Sequence, residues 1–123
     1  MKVGLFLPQM AEKITAENIL YIATEAERES LDSVWVLDRL LWPIKPQTPY
    51  GGSPDGSLPV EYQNVLDPLI TLTYVAGVTE RISLGTSVID MFFQNPVALS
   101  KRFATLDILS DGRAIAGHRL VKR

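Results

Sequence analysis

The segment from Thr79 to Arg113 constrains the fold of this chain most, because it holds a complete strand–loop–helix unit. Residues 82–89 form a short run rich in apolar and β-branched side chains without alternation, which is typical of a strand buried on both faces of a parallel sheet. Asn95-Pro96 supplies an N-cap and a proline at the first helical position, and Asp111-Gly112 ends the helix. Five apolar side chains at helical spacing predict its buried face: Val97, Leu99, Phe103, Leu106 and Leu109.

The rest of the chain repeats this alternation of strand and helix. Thr15 is a predicted N-cap, and Asp67-Pro68 opens a helix with the same cap-plus-proline device. Glu25, Glu27, Arg28 and Glu29 are predicted to form only a solvated helix face. The full prediction has buried strands over 2–7 and 82–89, a further strand over 33–37 and a fourth beginning at 113, with helices over 16–30, 68–78 and 96–110.

Strands that alternate with helices predict a parallel sheet with right-handed crossovers, either open and doubly wound or closed into a barrel. The first β–α turn, residues 7–11, lacks the G-x-G-x-x-G pattern of dinucleotide-binding open sheets, and the chain has no P-loop motif. A barrel is therefore favoured, although a complete one needs about 200 residues or more. We predict the first three to four β/α units of a (β/α)8 TIM barrel, a truncated barrel with parallel strands.

Composition limits the possible partners. Of the 123 residues 46% are hydrophobic, which is typical of a globular chain. Net charge is −2 without a basic stripe, so nucleic acid is not an expected partner. The absence of cysteine predicts neither disulfides nor a thiolate metal site and fits a cytoplasmic protein, and we predict no metal. No apolar run approaches the ~20 residues of a membrane span, so no membrane association is expected.

Polar side chains follow the first three strands, and in a barrel they would converge on one mouth. They are Gln9 after the first strand, Asp38 after the second, and Ser87 with Asp90 at the third. Asp38 directly follows apolar residues, so partial desolvation is expected to raise its pKa, which favours a catalytic role. The alternative is an ordinary turn in which Asp38 pairs with Arg39. Gln9 and Asp90 are predicted to line a substrate pocket.

Two further features have two interpretations each. The 28-residue connection from Arg39 to Leu66 is rich in proline and glycine, and its aromatic residues Trp42, Tyr50 and Tyr62 either form a wall for a planar ligand or fasten the loop down. Gly85 lies inside a predicted buried strand. It marks either a bulge or a close approach of backbone to ligand, or it is simply part of a plain glycine-containing strand.

Four motifs together resemble the bacterial luciferase-like family over about residues 1–117. They are S-x-W-V-x-D at 33–38, the Asp-Pro helix start at 67–68, T-E-R-I-S-L-G-T-S-V at 79–88 and N-P-V-A-L-S-K-R-F-A-T-L-D-I-L-S-D-G-R at 95–113. The resemblance implies a (β/α)8 barrel that binds FMN or the deazaflavin coenzyme F420 at its C-terminal mouth. We therefore interpret residues 1–117 as the N-terminal portion of such a domain.

The Gly-Thr-Ser-Val form of the third strand is most similar to the deazaflavin-dependent branch. This implies that Gly85, Thr86, Ser87 and Val88 bind F420, with a cis peptide bond between Ser87 and Val88 in a bulge. By the same resemblance, Asp38 lies at the reactive edge of the cofactor. Many relatives carry histidine where this chain has Arg39. Trp42 resembles, with a spacing difference of one residue, a tryptophan that lines the substrate pocket of relatives.

The implied function is hydride transfer between the deazaflavin and a small organic substrate. One alternative is an FMN-dependent monooxygenase. The other is an inactive truncated fragment or a half-barrel interaction module. A half barrel exposes the apolar inner face and the edges of its sheet, so self-association into a dimer is expected.

The last six residues form an atypical basic tail. Residues 118–123 contain the only histidine and three of the twelve lysines and arginines. One possible coding of this tail, read one base later, gives Ile-Asp-Trp-Ser-Lys, which resembles the continuation found in the family. The tail is therefore hypothesised to be out of frame.

Overall fold

The computed structural model describes residues 1–10 and 13–117, and the hypothesis on residues 118–123 lies outside them. Along these two described ranges, four strands alternate with three α-helices. The strands are β1 (Gly4–Phe6), β2 (Ser33–Leu37), β3 (Ser83–Val88) and β4 (Ala114–Ile115), and the helices are α1 (Ala16–Arg28), α2 (Pro68–Ala76) and α3 (Pro96–Leu109). Within these described ranges no helix is both long enough and apolar enough to cross a membrane.

The strands form one parallel sheet in the order β1-β2-β3-β4, with a helix between each strand and the next. This confirms the predicted parallel α/β architecture, which is the arrangement of consecutive β/α units in a TIM barrel. Two short 3₁₀ turns lie in the connections, at Val60–Gln63 and Met91–Phe93.

The helix starts lie where the local sequence predicts them. Thr15, Asp67 and Asn95 each accept a hydrogen bond from a backbone N–H of the first helical turn, which confirms the three N-caps. At the end of α3 Gly112 adopts a φ of +77°, and its N–H donates to the Asp107 carbonyl at 2.8 Å. Helices α1 and α2 each end two residues before the predicted positions.

The hydrophobic core lies between the helices and one face of the sheet. Val34 and Val36 of β2 and Leu84 and Thr86 of β3 point to this face and are fully buried. Among the residues that the structure describes, fifteen apolar side chains form this core: Leu7, Ile19, Ala23, Ala26, Val34, Val36, Leu69, Leu72, Val75, Ala76, Ile82, Leu84, Ile89, Leu99 and Leu106.

The prediction that β1 is a buried strand is wrong for the described chain, and β3 is buried on both faces only over residues 84–86. Leu5 and Phe6 of β1 are 38% and 52% exposed, and Ser87 of β3 is exposed as well. The physical reason is that β1 is an edge strand paired only with β2. In addition, the sheet face opposite the helices, called the inner face, has no second layer over it among the described residues.

The inner face is shaped by Trp35, which lies against glycines of both neighbouring strands. A Cβ atom on Gly85 would lie 2.4 Å from the Trp35 ring, and one on Gly4 would lie 2.5 Å from its indole nitrogen. The same nitrogen donates a hydrogen bond to Ser33 Oγ at 2.8 Å. The group that approaches the Gly85 backbone closely is therefore the indole of Trp35, within the protein itself.

We expect the substitution Gly85→Ala to lower the free energy of unfolding by about 1–3 kcal/mol, since the new methyl group overpacks the contact with Trp35. Urea unfolding followed by circular dichroism measures this change. The matched control is Gly77→Ala, because Gly77 ends α2 with a right-handed backbone and a Cβ there would meet only the Tyr74 carbonyl, at 3.6 Å. Equal stability of the two variants would contradict the proposed packing.

The apolar face of α3 is narrower than its sequence predicts. Leu99 and Leu106 are buried and Phe103 packs against the core, but Val97 and Leu109 are 78% and 61% exposed. The inclusion of these last two was wrong, because they lie on the outer side of the helix. Leu109 instead lines an open apolar groove between α2 and α3.

Glu27 has a structural role that its position on a charged helix face did not predict. Its carboxylate accepts hydrogen bonds from the N–H groups of Glu80, Arg81 and Ile82 at 3.0, 2.7 and 2.8 Å, and so fastens α1 to the start of β3. Partial burial alone would raise the pKa of Glu27, but these three hydrogen bonds and the charge of Arg81 outweigh it and lower the pKa.

We expect Glu27→Ala to lower the free energy of unfolding by about 1.5–3 kcal/mol at neutral pH, because a charged acceptor of hydrogen bonds is lost. A lowered folded-state pKa means that this contribution is present above pH 4.5, the ordinary value, and is lost as pH falls through the folded-state pKa. Unfolding experiments at pH 7 and at pH 3 check both points. Glu29→Ala on the same helix is the control, since the ion pair of Glu29 with Arg28 is exposed and should contribute little.

Candidate active site

The carboxyl ends of β2 and β3 bring Asp38, Val88 and Asp90 together. The Asp38 N–H donates to the Val88 carbonyl at 2.9 Å, and the Asp90 N–H donates to Asp38 Oδ2 at 3.1 Å. The strand register passes from Val36–Thr86 to Leu37–Val88, so Ser87 has no partner across β2. The third strand thus contains a bulge, which bends the chain next to the Asp38 carboxylate.

The expected cis peptide bond between Ser87 and Val88 is not found. All peptide bonds of the described residues are trans. A non-proline cis bond persists only where its surroundings enforce it, whereas Ser87 is exposed here. The extra residue of the bulge alone produces the irregularity in the strand.

Asp38 is partly buried, and its surroundings raise the pKa of its carboxyl group. Burial is the largest cause, and the nearby carboxylates of Asp67 and Asp90 act in the same direction. The Asp90 N–H and the charge of Arg102 oppose the rise without cancelling it. The alternative of a local ion pair with Arg39 is not supported, because the ion pairs of the described residues do not include Asp38. A carboxyl group with a raised pKa is suited to proton exchange.

Asp38 opens into a cleft of about 320 Å³ at this end of the sheet. The cleft has a polar side with three charged residues and an apolar side. Its lining consists of Asp38, Arg39, Leu41, Val88, Ile89, Asp90 and Phe93. Of the residues that the sequence singles out, the structure therefore brings Asp38, Val88 and Asp90 into one cavity.

Gln9 lies away from this cleft and is almost fully buried. Its side-chain amide donates to the carbonyls of Leu37 and Leu66, both at 2.9 Å, and its oxygen accepts from the Leu37 N–H. Both ends of the side chain are thus used to join β2 to the end of the long connection. Trp42 is half-buried in that connection and does not line the cleft.

The four residues expected to bind the cofactor have different surroundings. Gly85 is packed against Trp35, and the hydroxyl of buried Thr86 bonds both the N–H and the carbonyl of Gly117 at 2.9 Å. Ser87 is exposed at the bulge and Val88 lines the cleft. Ser87 and Val88 are therefore the members of this group that remain available to a ligand.

The long connection is fastened by two of its aromatic residues. The hydroxyl groups of Tyr50 and Tyr62 lie 3.3 Å apart, and their rings meet edge to face. The Arg39 guanidinium lies over the Tyr62 ring, 5.0 Å from its centroid. These contacts favour the interpretation in which Tyr50 and Tyr62 hold the loop in place.

Sequence reasoning did not place Arg39, Leu41 or Phe93 in the site. For Arg39 a signal was present, since it directly follows Asp38 at the end of a strand. Leu41 lies in an irregular segment and Phe93 in a short 3₁₀ turn, and neither has a periodic sequence pattern that indicates which way its side chain faces. Residues 1–10 and 13–117 contain no group of three or more His, Cys, Asp or Glu side chains that could hold a metal ion.

A parallel sheet whose strands follow one another in chain order, with a cleft at its carboxyl edge, has the arrangement of part of a TIM barrel, the fold class in which active sites lie at that edge. The family model described as luciferase-like monooxygenase matches residues 1–117. The chain belongs to this luciferase-like family.

Known proteins are similar over most of this chain. It is 35% identical over 108 residues to an F420-dependent glucose-6-phosphate dehydrogenase of Kineococcus radiotolerans, which covers 87% of this chain and 28% of that protein. The F420-dependent tetrahydromethanopterin reductase of Methanopyrus kandleri superposes with a TM-score of 0.68 at 24% identity, over 95% of this chain and 26% of the other.

A third similar protein is the oxygenating constituent of 3,6-diketocamphane monooxygenase from Pseudomonas putida, solved with FMN. It gives a TM-score of 0.72 at 17% identity and covers 100% of this chain and 30% of the other. At such identities the structural likenesses show the barrel fold alone. The chain spans less than a third of the length of each of these three proteins.

Proposed function

We propose that this chain supplies the first β/α units of an F420-dependent oxidoreductase that transfers a hydride between the deazaflavin and a small organic substrate. Family membership and the F420-dependent relative at 35% identity support the proposal. The main structural support for the proposed function is the Asp38 carboxyl group. It is partly buried, its pKa is raised, and it lies beside the bulge at Ser87.

Two of the four residues expected to bind the cofactor are accessible at the bulge, and the other two lie beneath them in the strand. Ser87 and Val88 would contact it at the bulge, while Gly85 and Thr86 would support the strand beneath. When bound, the deazaflavin supplies the carbon that accepts or donates the hydride. Asp38 would hold or release the proton of the reacting substrate group, with the Asp90 N–H fixing its carboxylate. Asp90 is proposed to contact the substrate in the cleft, and Gln9 to hold the end of the long connection behind it.

Binding of the cofactor is the first test of this proposal. Titrating the chain with F420 and following the fluorescence of the coenzyme should give saturable binding. Ser87→Trp fills the space at the bulge and should weaken that binding by about tenfold or more, equivalent to ~1.4 kcal/mol. Lys2→Trp, at the opposite end of the sheet, is the matched control. F420 binding that does not saturate would contradict a cofactor site at the bulge. An equal loss of F420 affinity in the Ser87→Trp and Lys2→Trp variants would contradict it as well.

An FMN-dependent monooxygenase is the second candidate, because the family model is described as luciferase-like monooxygenase and one similar structure was solved with FMN. The same titration with FMN separates the two. Saturable FMN binding without F420 binding would favour the monooxygenase. Binding of neither would favour a non-catalytic fragment or a half-barrel module.

We also propose that the chain forms a homo-oligomer, in the simplest case a dimer. Exposed apolar side chains support this on both sides of the molecule: Phe6 and Ile115 on the inner face, and Ile70 and Tyr74 at the groove between α2 and α3. Sedimentation equilibrium measures the state directly, and a monomer at micromolar concentration would exclude it. The proposal also includes a cytoplasmic location. It divides the chain into a domain over residues 1–117 and an atypical tail over 118–123.

A further inference from the structure

Arg39 is a charged residue of the cleft whose hydrogen-bonding capacity is incompletely used. Its Nε is buried and has no hydrogen-bond partner among the residues that the structure describes. Within the same residues, Arg39 is also absent from the ion pairs closer than 4.0 Å. A buried donor without a partner is costly. The site therefore favours a ligand that supplies oxygen acceptors.

The guanidinium of Arg39 is held in place from one side. Its central carbon lies over the ring of Tyr62, and the Tyr62 hydroxyl lies 3.3 Å from that of Tyr50 in the same loop. A cation–π contact uses none of the N–H groups of a guanidinium as hydrogen-bond donors, so these groups stay available to a ligand. A planar fork of donors presented in this way matches the oxygens of a carboxylate or a phosphate.

We propose that Arg39 is a specificity-determining residue that binds an anionic group of the substrate, a carboxylate or a phosphate. This inference rests on the proposed function and names the substrate class of the same site. Asp38 and Asp90 line the same cleft, and their negative charges repel an anion that approaches them. The substrate therefore places its anionic group at Arg39 and an uncharged reacting group at Asp38.

The test uses inorganic phosphate and acetate as probes with the full chain. In ¹⁵N NMR spectra of the arginine Nε–H groups, phosphate or acetate should shift the Arg39 signal with saturation. The Arg28 signal should stay unchanged, because that residue already pairs with Glu25 on the surface. Arg39→Gln should weaken anion binding about tenfold or more, whereas the control Arg28→Gln should leave it unaltered. Arg39→Lys keeps the positive charge but loses the planar set of N–H donors, so its anion affinity should lie between those of the Arg39→Gln and Arg28→Gln variants.

The anion could also come from the cofactor, and competition decides this. If F420 and phosphate bind together, the anionic group at Arg39 belongs to the substrate, as proposed. If F420 displaces phosphate from Arg39, the assignment to the substrate is overturned. An Arg39 signal that does not respond to either probe also overturns it. Phosphate binding at Arg39 without any F420 binding would refute the proposed function and leave the anion site in place.

Discussion

Replacing Arg113 by alanine is expected to lower the free energy of unfolding by about 3–5 kcal/mol, since several buried acceptors then lose a charged donor together. The guanidinium donates to the backbone carbonyls of Ser110, Ile82, Ala76 and Thr79 and to the Thr79 hydroxyl, at 2.7 to 3.2 Å. One side chain thereby joins the ends of α2 and α3 to the starts of β3 and β4.

Urea unfolding followed by circular dichroism measures this effect. Arg113→Lys retains the charge but can reach fewer of these acceptors, so it should lie between the unaltered chain and the alanine variant. Lys101→Ala, an exposed change on α3, is the control and should stay within about 0.5 kcal/mol. If Arg113→Ala also remained in that range, the hydrogen bonds of Arg113 would not support the fold.

The substitution Asp38→Asn is expected to slow hydride transfer by about 10²–10⁴-fold, because the amide cannot exchange the substrate proton. The same substitution should not lower the stability of the folded chain at neutral pH. The raised pKa of Asp38 means that folding becomes less favourable as pH rises from 3.8 through the folded-state pKa. Asparagine removes that cost and keeps an oxygen for the Asp90 N–H, so the melting temperature at pH 7 should be unchanged or higher.

Single-turnover absorbance changes of F420 with an anionic substrate measure the rate, and thermal melts at pH 4 and pH 7 measure the stability. Asp107→Asn on the exposed side of α3 is the matched control and should alter neither. Full activity of the Asp38→Asn variant would refute the catalytic role of Asp38. A lower melting temperature only at pH 7 would contradict the sign of its pKa shift.

Local signals in the sequence located the helix starts and the second strand well. Thr15, Asp67 and Asn95 cap helices because each side chain bonds a backbone N–H only two or three residues away. Such contacts are independent of the rest of the fold, so neighbouring residues suffice to predict them. The placement of Asp38 at the carboxyl end of β2 follows from the same local order.

Contacts between distant segments could not be predicted, because they depend on how the elements pack and not on neighbouring residues in the sequence. Glu27 bonds the backbone of residues 80–82, and nothing on α1 distinguishes it from Glu29. The local sequence allows a ligand contact at Gly85, but the space there is filled by the Trp35 ring of the neighbouring strand. It also allows Arg39 to pair with Asp38, whereas the Arg39 guanidinium lies over Tyr62 of the long connection.

The sequence by itself determined the order of the elements, the parallel α/β architecture and the family, because these follow from periodicity, caps and motifs read along the chain. Only the tertiary structure decided which strand faces are buried, that the Ser87 bulge has trans peptide bonds, and that Arg39 lines the same cleft as Asp38 and Asp90. These properties depend on the distances between residues of different elements, and those distances are fixed only when the sheet and its helices pack together.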